Sequence, residues 1–230
     1  MIGTHPEIHA IIENARADGW VLEPDAKRIF SLAGFTVPRF TLARTPEEAL
    51  RFAREIGYPV VAKIVSPRII HKSDVGGVAV GIADDVRLAE VFRRFQTLEG
   101  FAGVLVEEMV SGVELILGSK LDEQFGPMIL LGMGGTGVEI YRDVVLKMAP
   151  LAEKDARSMY QGIKAHKLLT GYRGAAPVDL EKLTRTLLSF SSLVMELEGR
   201  IASIDINPLL CSARDCIVAD ARIILPSHPV

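Results

Sequence analysis

The order of helix-like and strand-like segments narrows the possible folds of this chain more than any single motif does. Pro6 to about Ala17 has helical spacing, with Ile8, Ile11, Ile12 and Ala15 on one face. A second helix is expected over "LEPDAKRIFSLAG", with Pro24 near its first turn and Gly34 at its end. "VPRFTLA" reads as a short strand. "TPEEALRFAREIG" is the clearest helix: Thr45 caps it, Pro46 opens it, Glu47 and Glu48 suit the positive end of its dipole, and Gly57 closes it. Next come strand "YPVVAKIV", a polar turn, strand "GVAVGIA", an aspartate-capped helix "DDVRLAEVFRRFQTL" and strand "FAGVLVEEMV". This is a mixed α/β lobe without the repeated βα units of a dinucleotide-binding half.

After Val110 the texture changes. "VELILGSKLD", "GPMILLGMGG", "GVEIYR" and "DVVLKMAP" are strand-like segments separated by turns, which predicts an antiparallel sheet. Helices are expected at about 152–164 and 179–198, and strands over "IASIDINPLL" and "CIVADARIIL". The fold class is α/β (α+β), in two lobes. An N-terminal helical extension over 1–21 precedes one lobe over 22–106 and another over 107–230.

Composition removes several function classes. A net charge of -3 gives no electrostatic footprint for nucleic acid. No stretch reaches the roughly 18 apolar residues of a membrane span, and the N-terminus lacks a signal peptide's continuous apolar run. Cys211 and Cys216 are five apart, neither a CxxC pair nor a zinc spacing, and read as free thiols in a reducing compartment. A cytoplasmic protein with no nucleic-acid or membrane partner is expected.

Four segments carry candidate chemistry. Lys63 stands inside the apolar run "VVAKIV", where its charge needs a partner or a cleft. A nucleotide phosphate is one natural partner; a lysine snorkelling off a strand end is the plain alternative. The following turn, "HKSDVGGV", holds His71, Ser73 and Asp74, and its Gly76 and Gly77 permit close backbone approach to a phosphate; as a lone pattern it is also just a turn. In "VEEMVSGVE", the strand end at Glu107–Val110 offers backbone groups to an adenine edge. Glu114, beyond a turn at Ser111–Gly112, offers a carboxylate to ribose hydroxyls. In "SIDINPLL" and "IVADARI", Asp205 and Asn207 share one side of a strand and Asp220 on the next strand can meet them, an oxygen set suited to Mg²⁺. Lys147 in "VVLKMAP" and Arg173 in "TGYRGAAPVD" are lesser candidates for phosphate.

Together these segments resemble the ATP-grasp fold. The resemblance implies ATP or ADP bound between two lobes. Lys63, Lys147 and a flap containing Ser73, Gly76 and Gly77 would serve the phosphates. Glu107, Glu108, Met109 and Val110 would form the adenine hinge, with Glu114 on ribose and Asp205, Asn207 and Asp220 on Mg²⁺. Five co-linear segments, "LEPDAKRIFSLAGFTVP", "SPRIIHKSDVGGV", "SKLDEQFGPMILLGMGG", "KLLTGYRG" and "IDINPL…VADARI", further resemble the β subunit of ADP-forming acyl-CoA synthetases, relatives of succinyl-CoA synthetase. That resemblance covers about residues 20–225 and gives His71 a role as phosphate carrier between a histidine of a CoA-binding α subunit and ADP. Asp74 would orient the imidazole.

The chain departs from the family pattern at Lys147, where arginine is common, at Ser203, where a glutamate often stands, and in "GAAPVD", for the more usual "GxPPVD". Two other classes remain open at this point. A self-contained ATP-grasp carboxylate ligase would need no His71, and an adenylate-sensing module would need no metal site.

Overall fold

A computed structural model describes residues 5–135 and 143–226. The strand expected over "GVEIYR", 137–142, lies outside the described residues. In chain order the elements are α1 (Pro6–Asn14), β1 (Trp20–Val21), α2 (Glu23–Leu32), β2 (Phe40–Ala43), α3 (Pro46–Ile56), β3 (Val60–Val65), β4 (Val78–Ile82), α4 (Asp85–Gln96), β5 (Gly103–Glu108), β6 (Val113–Asp122), β7 (Gly126–Met133), β8 (Val144–Met148), α5 (Glu153–Gly162), α6 (Leu180–Glu196), β9 (Ser203–Cys211), β10 (Cys216–Val218) and β11 (Ala221–Ile224). The chain divides into two compact units. The larger comprises Met1–Val21, Asp25–Val37 and Ser111–Val230; the smaller comprises Leu22–Pro24 and Pro38–Val110.

The smaller unit is a four-stranded antiparallel sheet in the order β2-β5-β3-β4. Its two helices start where side-chain oxygens take up free backbone N–H groups. The Thr45 hydroxyl accepts from Glu48 N at 3.3 Å, and the Asp84 carboxylate accepts from Arg87 N at 2.8 Å. Both helices bury apolar stripes, Ala49 and Ala53 on α3 and Leu88, Val91, Phe92 and Phe95 on α4. These pack with Val60, Ala62 and Ile64 of β3 and Val104 and Val106 of β5. By the two-residue period of a strand, Val61, Lys63 and Val65 therefore point to the opposite face.

The larger unit holds a seven-stranded sheet in the order β1-β11-β9-β6-β7-β8, with β10 paired to β9. One face is covered by helices. Ile8 and Ile12 of α1, Ala26, Ile29 and Phe30 of α2, Met159 of α5 and Leu183, Leu187 and Phe190 of α6 form one core with Leu115, Leu117, Ile129, Leu131, Ile204, Ile206 and Ile223. Alternate residues of the same strands lie on the other face, so the sheet sorts its side chains by parity.

Three features are invisible in the sequence. Trp20 and Val21 form an edge strand on β11, in register with Ile224 and Ile223. "CIVADARIIL" is two strands, because a turn at Ala219–Asp220 separates β10 from β11. Cys211 and Cys216 are direct cross-strand partners, both buried and both free thiols. A hydrogen bond with Cys216, reinforced by burial, pushes the Cys211 thiol well above its ordinary range, which suppresses its reactivity. No described helix is long and apolar enough to cross a membrane.

Phe190 is fully buried at the centre of the larger core. Phe190→Ala is expected to lower stability by about 3–5 kcal/mol, measured as a fall in the urea midpoint followed by circular dichroism.

Candidate functional site

In the smaller unit, chemistry gathers on the sheet face that α3 and α4 leave free. Lys63 pairs with Leu105 across β3–β5, which makes Glu107, two residues further along β5, its diagonal neighbour on that face. The Lys63 ammonium lies 2.7 Å from Glu107 Oε1 and 2.7 Å from Glu23 Oε1. Glu23 is the first residue of α2 and one of the few α2 residues grouped with the smaller unit. Its second oxygen, Oε2, lies 2.7 Å from Lys72 Nζ. The result is a chain of alternating charge, Lys72–Glu23–Lys63–Glu107, with no net charge. Lys63 is 5%, Glu23 4% and Glu107 2% exposed, so the pairing is what makes burial of these charges tolerable.

The polar turn after β3 hangs on this chain. Its backbone is fixed where Gly77 N–H donates to the Lys72 carbonyl at 2.7 Å and Ile64 N–H donates to the Gly77 carbonyl at 2.8 Å. Gly77 is required by close approach: a Cβ there would overlap Ile64 Cγ2 and lie 3.0 Å from the Lys72 carbonyl oxygen. Gly76 has φ 63°, and its carbonyl accepts from Arg94 at 3.0 Å. Between these anchors Ser73–Val75 make a single 3₁₀ turn. His71, Ser73 and Asp74 are exposed there, and the His71 and Asp74 side chains are not hydrogen-bonded to each other among the described residues.

At the end of β5, Glu108 is held by Arg39, whose backbone N–H and Nε donate to its two carboxylate oxygens at 3.0 and 3.2 Å. Glu108 N–H in turn donates to the Arg39 carbonyl at 3.0 Å. These bonds fix the start of the Glu107–Val110 segment, whose Met109 side chain is exposed.

In the larger unit the candidates lie on the face that carries none of that unit's core. Asp205 and Asn207 alternate with the buried Ile204 and Ile206. Asp205 is opposite Gly118 on one side and Arg222 on the other, and one of its oxygens accepts from Arg222 at 3.2 Å. Asn207 N–H donates to the Asp220 carbonyl at 3.2 Å, so the two side chains start from neighbouring points of the backbone. Asp220 sits in the turn between β10 and β11, and not within a continuous strand as the sequence suggested. The set comprises two carboxylates and one amide, all hard oxygen donors. It fits a small hard cation that keeps water or phosphate oxygens in its remaining positions. Accordingly, no group of three or more His, Cys, Asp and Glu able to hold a metal occurs among the described residues.

Glu114, near the start of β6, is braced by the end of β7. Gly134 N–H donates to its carbonyl at 2.7 Å, and a Cβ on Gly134 would come within 2.9 Å of the Glu114 backbone. The carboxylate is left exposed.

A family model for the ATP-grasp domain matches residues 13–225. The chain belongs to the ATP-grasp family. The β subunit of ADP-forming acetate–CoA ligase I from Pyrococcus furiosus is 45% identical over 224 residues, covering 94% of this chain and 96% of that subunit. The ADP-forming 4-hydroxybutyrate–CoA ligase of Nitrosopumilus maritimus is 42% identical over 213 residues, which is 88% of this chain and 30% of that longer protein. A solved structure of the dinucleotide forming acetyl-coenzyme A synthetase 1 of Ca. Korarchaeum cryptofilum matches with a TM-score of 0.84 and 41% identity, over 95% of this chain and all of that one. That protein is in complex with coenzyme A and Mg-AMPPCP, with its phosphohistidine segment pointing towards the nucleotide binding site. The resemblance of the five sequence segments to the ADP-forming synthetase β subunits is thereby borne out.

Within this ATP-grasp chain the two lone strand lysines part company. Lys147 pairs with Ile129, in the row that also contains Ser119 and Ile204, and all three are buried. It therefore lies on the helix-covered face with Val145, while Glu114, Asp205 and Asn207 lie on the other. A phosphate role for Lys147 alongside those residues is not supported by this register. Arg173 is exposed with φ 49°, and its guanidinium lies over the Tyr172 ring at 5.3 Å. Sequence reasoning missed Glu23 and the carboxylate of Glu107 as partners of Lys63. The only available signal was that a lone buried lysine demands a buried acid.

Replacing Lys63 by methionine would leave the Glu107 carboxylate buried without this partner. Lys63→Met is expected to cost about 3–5 kcal/mol of stability at neutral pH, checked by the shift of the guanidinium chloride midpoint.

Proposed function

We infer that this chain is the nucleotide-handling β subunit of an ADP-forming acyl-CoA synthetase, an acid–thiol ligase. The overall reaction is acyl-CoA + ADP + phosphate ⇌ acid + CoA + ATP. A CoA-binding α subunit supplies the acyl chemistry and a phosphohistidine. The existence of a longer relative, of which this chain matches 30%, supports such a division of labour. Free, buried cysteines accord with a cytoplasmic setting.

The observation that carries this reading is an exposed imidazole at His71, on a turn bonded to a buried lysine-carboxylate chain that runs to Lys63. Imidazole is a competent nucleophile near neutrality and a good leaving group from phosphorus. In the ATP-forming direction the N–P bond of phosphorylated His71 breaks. A β-phosphate oxygen of ADP forms the new P–O bond, and the imidazole keeps the electron pair. Phosphoryl transfer of this kind rests on positioning and charge neutralisation. Lys63 and the amide of Ser73 take up phosphate charge; the N–H groups of Gly76 and Gly77, expected to share in this, are held within the turn by the Ser73 and Lys72 carbonyls, and Lys147 lies outside this group because of its register. Backbone groups of Glu107 and Val110, between which Glu108 and Met109 lie, hold the adenine edge, and Glu114 accepts the ribose hydroxyls. Asp205, Asn207 and Asp220 would hold Mg²⁺, which neutralises phosphate charge when bound. Asp74 orients the His71 imidazole once the segment carries phosphate.

The native chain, incubated with Mg²⁺ and γ-labelled ATP and with its CoA-binding partner present, is expected to gain acid-labile, base-stable phosphate, and His71→Ala is expected to gain none on this chain. Label retained by His71→Ala, or no label on the native chain, overturns the reading.

A further inference from the structure

Glu23 belongs to none of the segments that suggested chemistry, yet both of its carboxylate oxygens are committed. Oε1 accepts a hydrogen bond from Lys63 Nζ at 2.7 Å, and Oε2 lies 2.7 Å from Lys72 Nζ as an ion-pair contact without hydrogen-bond geometry. Lys72 is the residue next to His71. In a turn whose residues 71 and 73–76 are exposed, the Lys72 side chain is only 15% exposed. The same residue is also the main-chain anchor of the turn, since its carbonyl accepts the Gly77 N–H at 2.7 Å. Lys72 is therefore where the histidine segment is fastened, by its backbone to Gly77 and by its side chain to Glu23. Consecutive Cα atoms are about 3.8 Å apart across a trans peptide, so a shift of Lys72 carries His71 with it. Glu23 itself is fixed at the start of α2, in front of Pro24, and is 4% exposed.

We propose that Glu23 is a positioning residue for phosphoryl transfer at His71: its two oxygens clamp Lys63 and Lys72, and so set the reach of the histidine segment from the Lys63 ammonium. The proposal rests on the phosphohistidine reading above. It assigns Glu23 no contact with substrate. Its effect is to keep the imidazole where the phosphorus must be, and misplacement of a reacting group by about 1 Å can cost on the order of 10²-fold in rate. Glu23→Gln puts an amide NH₂ against one of the two ammonium groups and opens the clamp. Lys72→Met removes the arm to the turn and leaves the Glu23–Lys63–Glu107 pairs in place.

The test is a rapid-quench measurement of His71 labelling from Mg²⁺ and γ-labelled ATP, on the full chain with its CoA-binding partner. Nucleotide affinity and melting temperature are recorded alongside. Lys72→Met is expected to label about 10- to 100-fold more slowly, with nucleotide Kd within about threefold of native. Lys72→Arg, which restores a cation to Glu23, is expected to recover most of the rate. Glu23→Gln is expected to match Lys72→Met, and the double variant to be no slower than the slower single, because both break the same link. Native labelling rates in folded Lys72→Met, or effects of the two substitutions that multiply, overturn the proposal. Should Glu23→Gln fail to fold, Lys72→Met and Lys72→Arg decide alone. If the native chain labels, His71→Ala does not and Lys72→Met labels like native, only the role of Glu23 falls. If His71→Ala labels like native, the phosphohistidine reading itself falls.

Discussion

A charged lysine in the middle of a buried strand must be neutralised where it stands. In this protein that requirement organises the candidate site of the smaller unit. Lys63 cannot be left alone at 5% exposure, and two carboxylates meet it at 2.7 Å. One comes from the neighbouring strand and costs nothing in topology, since Glu107 is a diagonal neighbour in an antiparallel ladder. The other comes from Glu23, forty residues earlier in the chain, and must be brought in by the fold. Lys72 brings a second ammonium group to Glu23, at 2.7 Å from its other oxygen. The turn that carries His71 is thus tied down by the same electrostatic need that Lys63 creates.

Much of this was legible in the sequence where local chemistry decides. The caps at Thr45 and Asp84, the strand lysine, the glycine turn and the oxygen donors at 205 and 207 all read directly, because each depends on a few adjacent residues. What depends on the partner of a strand did not read. Lys63 and Lys147 look alike in sequence, each a lone cation in an apolar run. Register sets Lys63 diagonally from Glu107 and Lys147 directly opposite Ile129. Glu23, just ahead of Pro24 in the expected helix, carried no signal of its own. Nothing in "LEPDAKRIFSLAG" tells that Ala26, Ile29 and Phe30 enter the larger unit's core while Glu23 pairs within the smaller unit. The split of "CIVADARIIL" and the pairing of Cys211 with Cys216 are equally matters of long-range register.

The larger unit solves a different problem with the same two-residue period. Its sheet must present oxygen donors without burying them, so they sit on alternate positions of strands whose other face is core. Asp205 and Asn207 are fixed by Ile204 and Ile206 beneath them, and by Arg222 and the Asp220 backbone beside them. The metal candidates thereby gain fixed backbones while their side chains stay polar and partly or fully exposed.

The arrangement of charges also bears on the phosphate role proposed for Lys63. An incoming phosphate has to compete with two carboxylates already at contact distance. In a simple buried pair, the lysine's departure would strand its acid, and the penalty of that unpaired charge would oppose binding. Here Glu23 is shared. If Lys63 turns towards an anion, Glu23 and Glu107 each lose this contact, but Glu23 keeps Lys72. Sharing one carboxylate between two lysines therefore lowers the cost of releasing Lys63 and shifts more of the pull on Glu23 to Lys72, the residue that fastens the histidine segment. A phosphate at Lys63 and the hold on His71 are then linked through a single side chain, with no displacement of backbone needed to connect them.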